Sequence, residues 1–127
     1  MRGGLPMANG VNEVFPTAQL LHAKFPHDLK RENLKGIVTV ILVDSVINSG
    51  KSIVGFLQHI KQINDAVRVI VVAGVVQDQA IKGGSAIRAV ARSMEVTIVA
   101  LRVSKNKYTG KGTTDTGNRL FNTTQLD

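Results

Sequence analysis

Cysteine is absent from this sequence, which removes disulfides, thiolate metal sites and a cysteine nucleophile at once. Tryptophan is absent too, and aromatic residues make up only 4% of the 127 residues. The core therefore has to be aliphatic, built from Val, Ile, Leu and Ala. Long apolar runs are missing. The most apolar stretch, Val67–Val76, is interrupted by Arg68, contains Gly74 and is too short to cross a bilayer. The opening Met1-Arg2-Gly3-Gly4 has no apolar segment of signal-peptide length. Acidic residues are scarce: 9 Asp and Glu stand against 16 Lys and Arg, a formal charge of +7.

That charge, with a pI near 10.2, points to a polyanionic partner, either nucleic acid or a phosphorylated metabolite. Arg102, Lys105, Lys107 and Lys111 fall close together, which a solvated loop would also explain. Little aromatic interleaving and no nucleic-acid motif accompany the charge, so a nucleic-acid-binding domain is the lesser reading. Hydrophobic residues at 43% and charged residues at 20% describe a globular chain. Its length suits one domain able to bury roughly two thirds of its unfolded surface. His22, His27 and His59 have no metal-ligand spacing.

Three nearly continuous β-branched runs stand out, Ile37–Val43, Val67–Val72 and Val96–Val103, the pattern of strands buried on both faces of a parallel sheet. Thr17–Ala23 is a weaker candidate for a fourth. Helical patterns lie between them. Over Gly50–Asn64, Ile53, Leu57, Ile60 and Asn64 share a face. Over Ser85–Met94, Ile87, Val90, Ala91 and Met94 do so, with Ser85 as N-cap. An opening helix starts at Pro6, presents Met7, Val11, Val14 and Phe15, and stops at Pro16. The alternation predicts an α/β fold, an open, mostly parallel sheet with flanking helices and right-handed crossovers. No strand leads into the first helix, so residues 1–127 read as a partial domain, truncated at the amino terminus. The polar stretch Ser104–Asp127 reads as a long ordered loop and tail.

The sharpest local signal runs Val40-Ile41-Leu42-Val43-Asp44-Ser45-Val46-Ile47-Asn48-Ser49-Gly50-Lys51-Ser52. It reads as the central strand, an acidic residue at its end, a loop of small residues, then a helix. Unpaired N–H groups and the dipole at a helix start suit a phosphate. Gly50-Lys51-Ser52 suggests a nucleotide phosphate loop, but that motif needs a glycine where Ser45 stands. A phosphoribosyl diphosphate loop fits better, and an ordinary strand-to-helix turn remains a further reading.

Three segments, in order, resemble uracil phosphoribosyltransferases. They are Arg2-Gly3-Gly4-Leu5-Pro6-Met7 with Gly10-Val11; Val43-Asp44 through Gly50 and Ser52; and Tyr108 through Gly112 with Asp115-Thr116-Gly117-Asn118-Arg119-Leu120-Phe121 and Thr123. The resemblance covers nearly all of this chain and the later part of the family's domain. It implies transfer of a phosphoribosyl group from phosphoribosyl diphosphate to uracil, giving uridine monophosphate, with Mg²⁺ accompanying the donor, in a cytoplasmic homodimer. By the same resemblance, Arg2 contacts the donor's diphosphate and Asp44 binds its ribose hydroxyls. Ser45, Val46, Ile47, Asn48, Ser49, Gly50, Lys51 and Ser52 cradle its 5′-phosphate. Thr109, Thr114, Asp115 and Thr116 hold uracil, and Asp115 joins Asp44 as the second catalytic carboxylate. The sequence departs from the family pattern at Ser45, usually Pro, at Lys51, usually small, and in the tail at Thr114, Thr116 and Asn118. A non-catalytic module of the same family, the end of a longer uridine kinase fusion, is the alternative. Phosphate binding is expected to survive more readily than turnover, and the tail is expected to fold back toward Asp44.

Overall fold

A computed structural model describes residues 2–107. A short 3-10 turn, Arg2–Gly4, leads into helix α1, Leu5–Val14. Pro6 lies in its first turn and Phe15 caps it through an N–H bond to Val11 O, so the helix ends just before Pro16, as expected. Two more 3-10 turns, Pro26–Asp28 and Arg31–Leu34, precede strand β1, Thr39–Ile47. Helix α2, Lys51–Ile63, follows, then β2, Arg68–Gln77, a single turn α3, Asp78–Ile81, helix α4, Ala86–Ala91, and β3, Val96–Ser104.

The described strands form one parallel sheet in the order β1-β2-β3, so the expected architecture is observed. Thr39 pairs with Arg68 and Val69 with Val96. Two expectations are corrected. The strand carrying Asp44 is an edge strand among the described residues, and β2 is the centre. Thr17–Ala23 forms no strand; Leu20 and Leu21 are 45% and 42% exposed, so the segment lacks the two-sided burial that its apolar residues suggested.

β1 also runs further than its apolar run implied. Asp44 pairs with Ala73, Val46 with Val75 and Ile47 with Val76. The β-branched Val46 and Ile47 suit a pleated, half-buried surface, and they carry the strand past the Asp44-Ser45 polar pair. The loop before α2 shrinks to Asn48–Gly50.

One sheet face is dry. Val69, Val71 and Ala73 of β2 pack with Ile53, Leu57 and Ile60 of α2, with Ile87 of α4, and with Leu29 and Leu34 from the connecting turns. Phe56 joins the buried side of α2, completing an i, i+3, i+4, i+7 stripe. Leu57 and Ile60 are fully buried, each contributing about 1.5–3 kcal/mol of transfer free energy. Asn64, at the end of that stripe, is a clasp rather than core: its Nδ2 donates to Leu34 O at 3.2 Å and its Oδ1 accepts from Ala66 N–H at 3.2 Å. One turn earlier, His59 Nε2 donates to Leu29 O at 2.8 Å. His59 of α2 and its C-cap Asn64 thus pin the Leu29–Leu34 stretch.

The other face is half covered. Met7 and Val11 of α1 are partly buried, but Val14 and Phe15 are 70% and 52% exposed, so the expected apolar face of α1 docks only along its first half. On β3, Val99, Leu101 and Val103 are exposed as well.

Candidate functional site

The turn between β1 and α2 is set by Gly50, whose φ of 78° and ψ of 5° put it in the left-handed region, where a Cβ is disfavoured. Space imposes the same choice. A Cβ on Gly50 would lie 2.6 Å from Ile87 Cδ1 and 3.8 Å from Ala80 Cβ. α3 and α4 therefore buttress the turn from behind. Neither Ala80 nor Ile87 was singled out as part of the site, and no local signal reveals them, because the contact joins residues far apart in sequence.

Ahead of that buttress, α2 presents its first turn to solvent. Lys51 and Ser52 are exposed, and the first turn carries no acidic residue. Ser49 Oγ lies 3.4 Å from Lys51 N–H, a long contact that leaves the amide open to a better acceptor. The first N–H groups of a helix have no intrahelical partner, and the dipole adds partial positive charge there. This end of α2 is chemically suited to an anion.

Asp44 is the buried charged residue at the adjoining end of β1, 8% exposed. Its row partners on β2 and β3 are alanines, Ala73 and Ala100, which leave room beside the carboxylate on the side that α2 covers. Burial pushes its pKa above the usual carboxylate value, and the hydrogen bond from Ser45 N–H at 2.9 Å opposes the shift. The group is held in place and poorly hydrated, a condition in which donors from a ligand would be strongly felt.

The amino-terminal segment reaches the same place. A Cβ on Gly4 would collide with Val43 O and approach Asp44 Cα to 2.9 Å. Only a glycine lets the Arg2–Gly4 turn lie on β1 so closely. Gly74 plays a similar part on the neighbouring strand, where a Cβ would sit 2.7 Å from Ser45 O.

Of the residues picked from sequence, Asp44, Ser45, Val46 and Ile47 lie in β1, Asn48, Ser49 and Gly50 in the turn, and Lys51 and Ser52 at the start of α2. Ile47 is 2% exposed and packed in the core, so only its main chain is available to a ligand. The backbone of Arg2 lies in the turn beside Asp44. Thr109, Thr114, Asp115 and Thr116 fall outside the described residues. A cavity of about 600 Å³ lies elsewhere, along Thr39–Val43 rather than at Asp44 or the Gly50 turn.

Among the described residues no cluster of three potential metal ligands exists, and no helix is long and apolar enough to cross a membrane. A parallel sheet with an acidic strand end, a tight glycine turn and an open helix start, joined by a second glycine-bearing segment, defines a phosphoribosyltransferase-like α/β protein. The comparison with protein families makes this specific: the model of the family described as uracil phosphoribosyltransferase matches residues 1–123. The chain belongs to the uracil phosphoribosyltransferase family. No curated protein and no solved structure matches it.

Proposed function

We propose that this chain transfers the phosphoribosyl group of phosphoribosyl diphosphate to uracil, giving uridine monophosphate and diphosphate. The observation that supports it most is the meeting of two family segments at one point: the Gly4 backbone lies on Val43–Asp44, at the strand end that leads into the open start of α2. The bond from ribose C1 to the diphosphate breaks, uracil N1 bonds to that carbon, and the N1 proton is lost to solvent. Positive charge builds on the ribose and negative charge on the leaving diphosphate.

In this reading the 5′-phosphate sits on the N–H groups of Asn48–Ser52, with the Ser52 hydroxyl as a further donor. Asp44 accepts hydrogen bonds from the ribose hydroxyls, which favour its ionised form and offset its burial. The family resemblance assigns the diphosphate to Arg2. Uracil is taken by Thr109, Thr114, Asp115 and Thr116, with Asp115 also near the donor. Holding ribose and base in register supplies much of the rate, and no nucleophilic side chain takes part.

Mg²⁺ fits as a companion of the donor. It keeps several waters and binds through one or two carboxylates plus substrate phosphates, so Asp44 would serve without a protein cage, and no three-ligand cluster is found among the described residues. When bound, it would neutralise diphosphate charge. By the family resemblance, the protein works in the cytoplasm as a homodimer in this reading.

Titration calorimetry with phosphoribosyl diphosphate and Mg²⁺, paired with a uracil-to-uridine monophosphate assay, tests the reading. Saturable donor binding and uridine monophosphate formation, both lost in Asp44→Ala, are expected. Donor binding without turnover would favour a non-catalytic module, and neither would end the proposal.

A further inference from the structure

The described strands pair row by row, and one row is skipped. Asp44 pairs with Ala73 and Val46 with Val75, but Ser45 is not paired with Gly74. Across β2, Ala73 pairs with Ala100 and Val75 with Arg102, but Gly74 is not paired with Leu101. The register is the same on either side of the gap, so no residue is inserted, as a β-bulge would require. The strands change phase instead. In β2 the buried positions are Val69, Val71 and Ala73 before the gap and Val76 after it; in β1 they are Asp44 and then Ile47. A regular strand returns to the same face every second residue. Here both strands take a step of three at the same level.

The break falls directly after Asp44. At the skipped position the Ser45 N–H donates to Asp44 Oδ1 at 2.9 Å, a bond of the stronger kind when the carboxylate is ionised. Gly74 makes room for this arrangement. A Cβ there would lie 2.7 Å from Ser45 O, the close backbone approach that a glycine within a strand permits. One carboxylate oxygen is left over. Oδ2 accepts no hydrogen bond from a described residue. No side-chain oxygen among those residues is buried without a partner, so Oδ2 reaches solvent.

We propose that the skipped row is a positioning device in which Ser45 and Gly74 hold Asp44 by Oδ1 and so leave Oδ2 to a ligand hydroxyl. Ser45 acts through its main chain, as a positioning residue rather than a ligand contact. The inference rests on the reading of Asp44 as the carboxylate that binds ribose hydroxyls.

The probes are ribose 5-phosphate and 2-deoxyribose 5-phosphate, compared by calorimetry on the full chain. The unaltered chain should bind the first at least about tenfold more tightly, as loss of a hydrogen bond to a charged group implies. Ser45→Pro removes the N–H. It breaks no pairing, since Ser45 has none with β2, and the extended backbone that proline asks of the residue before it is already that of a strand. The preference should fall to about twofold or less, because ribose 5-phosphate weakens and its analogue does not. Ser45→Ala keeps the N–H and should keep the preference, whereas Gly74→Ala, which drives a methyl against Ser45 O, should lower it. Amide exchange reads the same hold without any ligand: the Ser45 N–H should exchange at least about tenfold faster in Asp44→Ala. A preference that survives Ser45→Pro, or one that Ser45→Ala abolishes, overturns the proposal. So does Ser45 exchange indifferent to Asp44, which stands as the deciding measurement if Ser45→Pro fails to fold by circular dichroism. No preference for ribose 5-phosphate in the unaltered chain, with Ser45 exchange still tied to Asp44, would instead overturn the ribose-binding reading beneath it.

Discussion

Replacing Gly50 by alanine isolates what holds the β1–α2 turn in place. A left-handed backbone at a residue with a Cβ costs about 1–2 kcal/mol. The new methyl would lie 2.6 Å from Ile87 Cδ1 and 3.0 Å from its Cγ1, and forcing a buried side chain aside costs typically ~1–3 kcal/mol. Together they predict a loss of about 2–5 kcal/mol, a large share of the ~5–15 kcal/mol that holds a domain folded. Ile87 is 2% exposed, so it has little freedom to swing away. Ile87→Val removes Cδ1, the closer of the two atoms, and costs about 0.5–1.5 kcal/mol by itself. The double variant should therefore be more stable than the sum of the two losses by roughly 1 kcal/mol or more, and the remaining deficit is the backbone cost together with the 3.0 Å approach to Cγ1. Urea unfolding of the four proteins, with slopes compared as well as midpoints, measures this. Strict additivity would refute the packing half of the reasoning. A loss for Gly50→Ala below about 0.5 kcal/mol, the range of an ordinary surface change, would refute both halves.

Three further outcomes follow from the same geometry. Asp44→Asn should raise the melting temperature at pH 7 while weakening donor binding in calorimetry: burial raises the folded pKa of Asp44, so its stabilising protonated form is fully present below the unfolded value and lost as pH rises through the folded one, and the gain should vanish in melts run at acid pH below both. His59→Ala removes the bond to Leu29 O and should cost about 0.5–1.5 kcal/mol in urea unfolding, with faster proteolytic nicking near Leu29. Ser85→Ala removes the N-cap acceptor of Arg88 N–H and should cost ~1 kcal/mol, read from the same unfolding curves.

The three paired strands were legible because nearly continuous β-branched runs such as Val67–Val72 favour a pleated backbone, but the two-sided burial that such runs suggest is not met on β3, where Val99, Leu101 and Val103 are exposed. Ser85 as N-cap and Pro16 as a stop were legible because both act within one turn of chain. Asp44-Ser45 misled the reading of β1: two polar residues looked like punctuation, yet Val46 and Ile47 beyond them find partners in Val75 and Val76. Edge or centre could not be read for β1, since sheet order depends on which crossover lands on which side. Thr17–Ala23 failed because apolar content without two-sided cover does not make a strand. At the site, Asp44 and Gly50 announced themselves locally, whereas Ala80 and Ile87 behind the turn, and Gly4 on top of Val43, are products of distant packing.

The parallel ladder also governs how the chain reaches this state. Thr39 must find Arg68, and Val69 must find Val96, each across an intervening helix, and no described strand is joined to its neighbour by a hairpin. Loop-closure entropy is therefore met before any strand contact repays it. The contacts of His59 with Leu29 and of Asn64 with Leu34 are themselves long-range, so they give the sheet no local head start. The chain will fold slowly for its size, and through that interval the Val67–Val72 run stands exposed with its backbone unpaired. Chaperone capture and concentration-dependent loss during refolding are the expected consequences of described strands that are joined by crossovers alone.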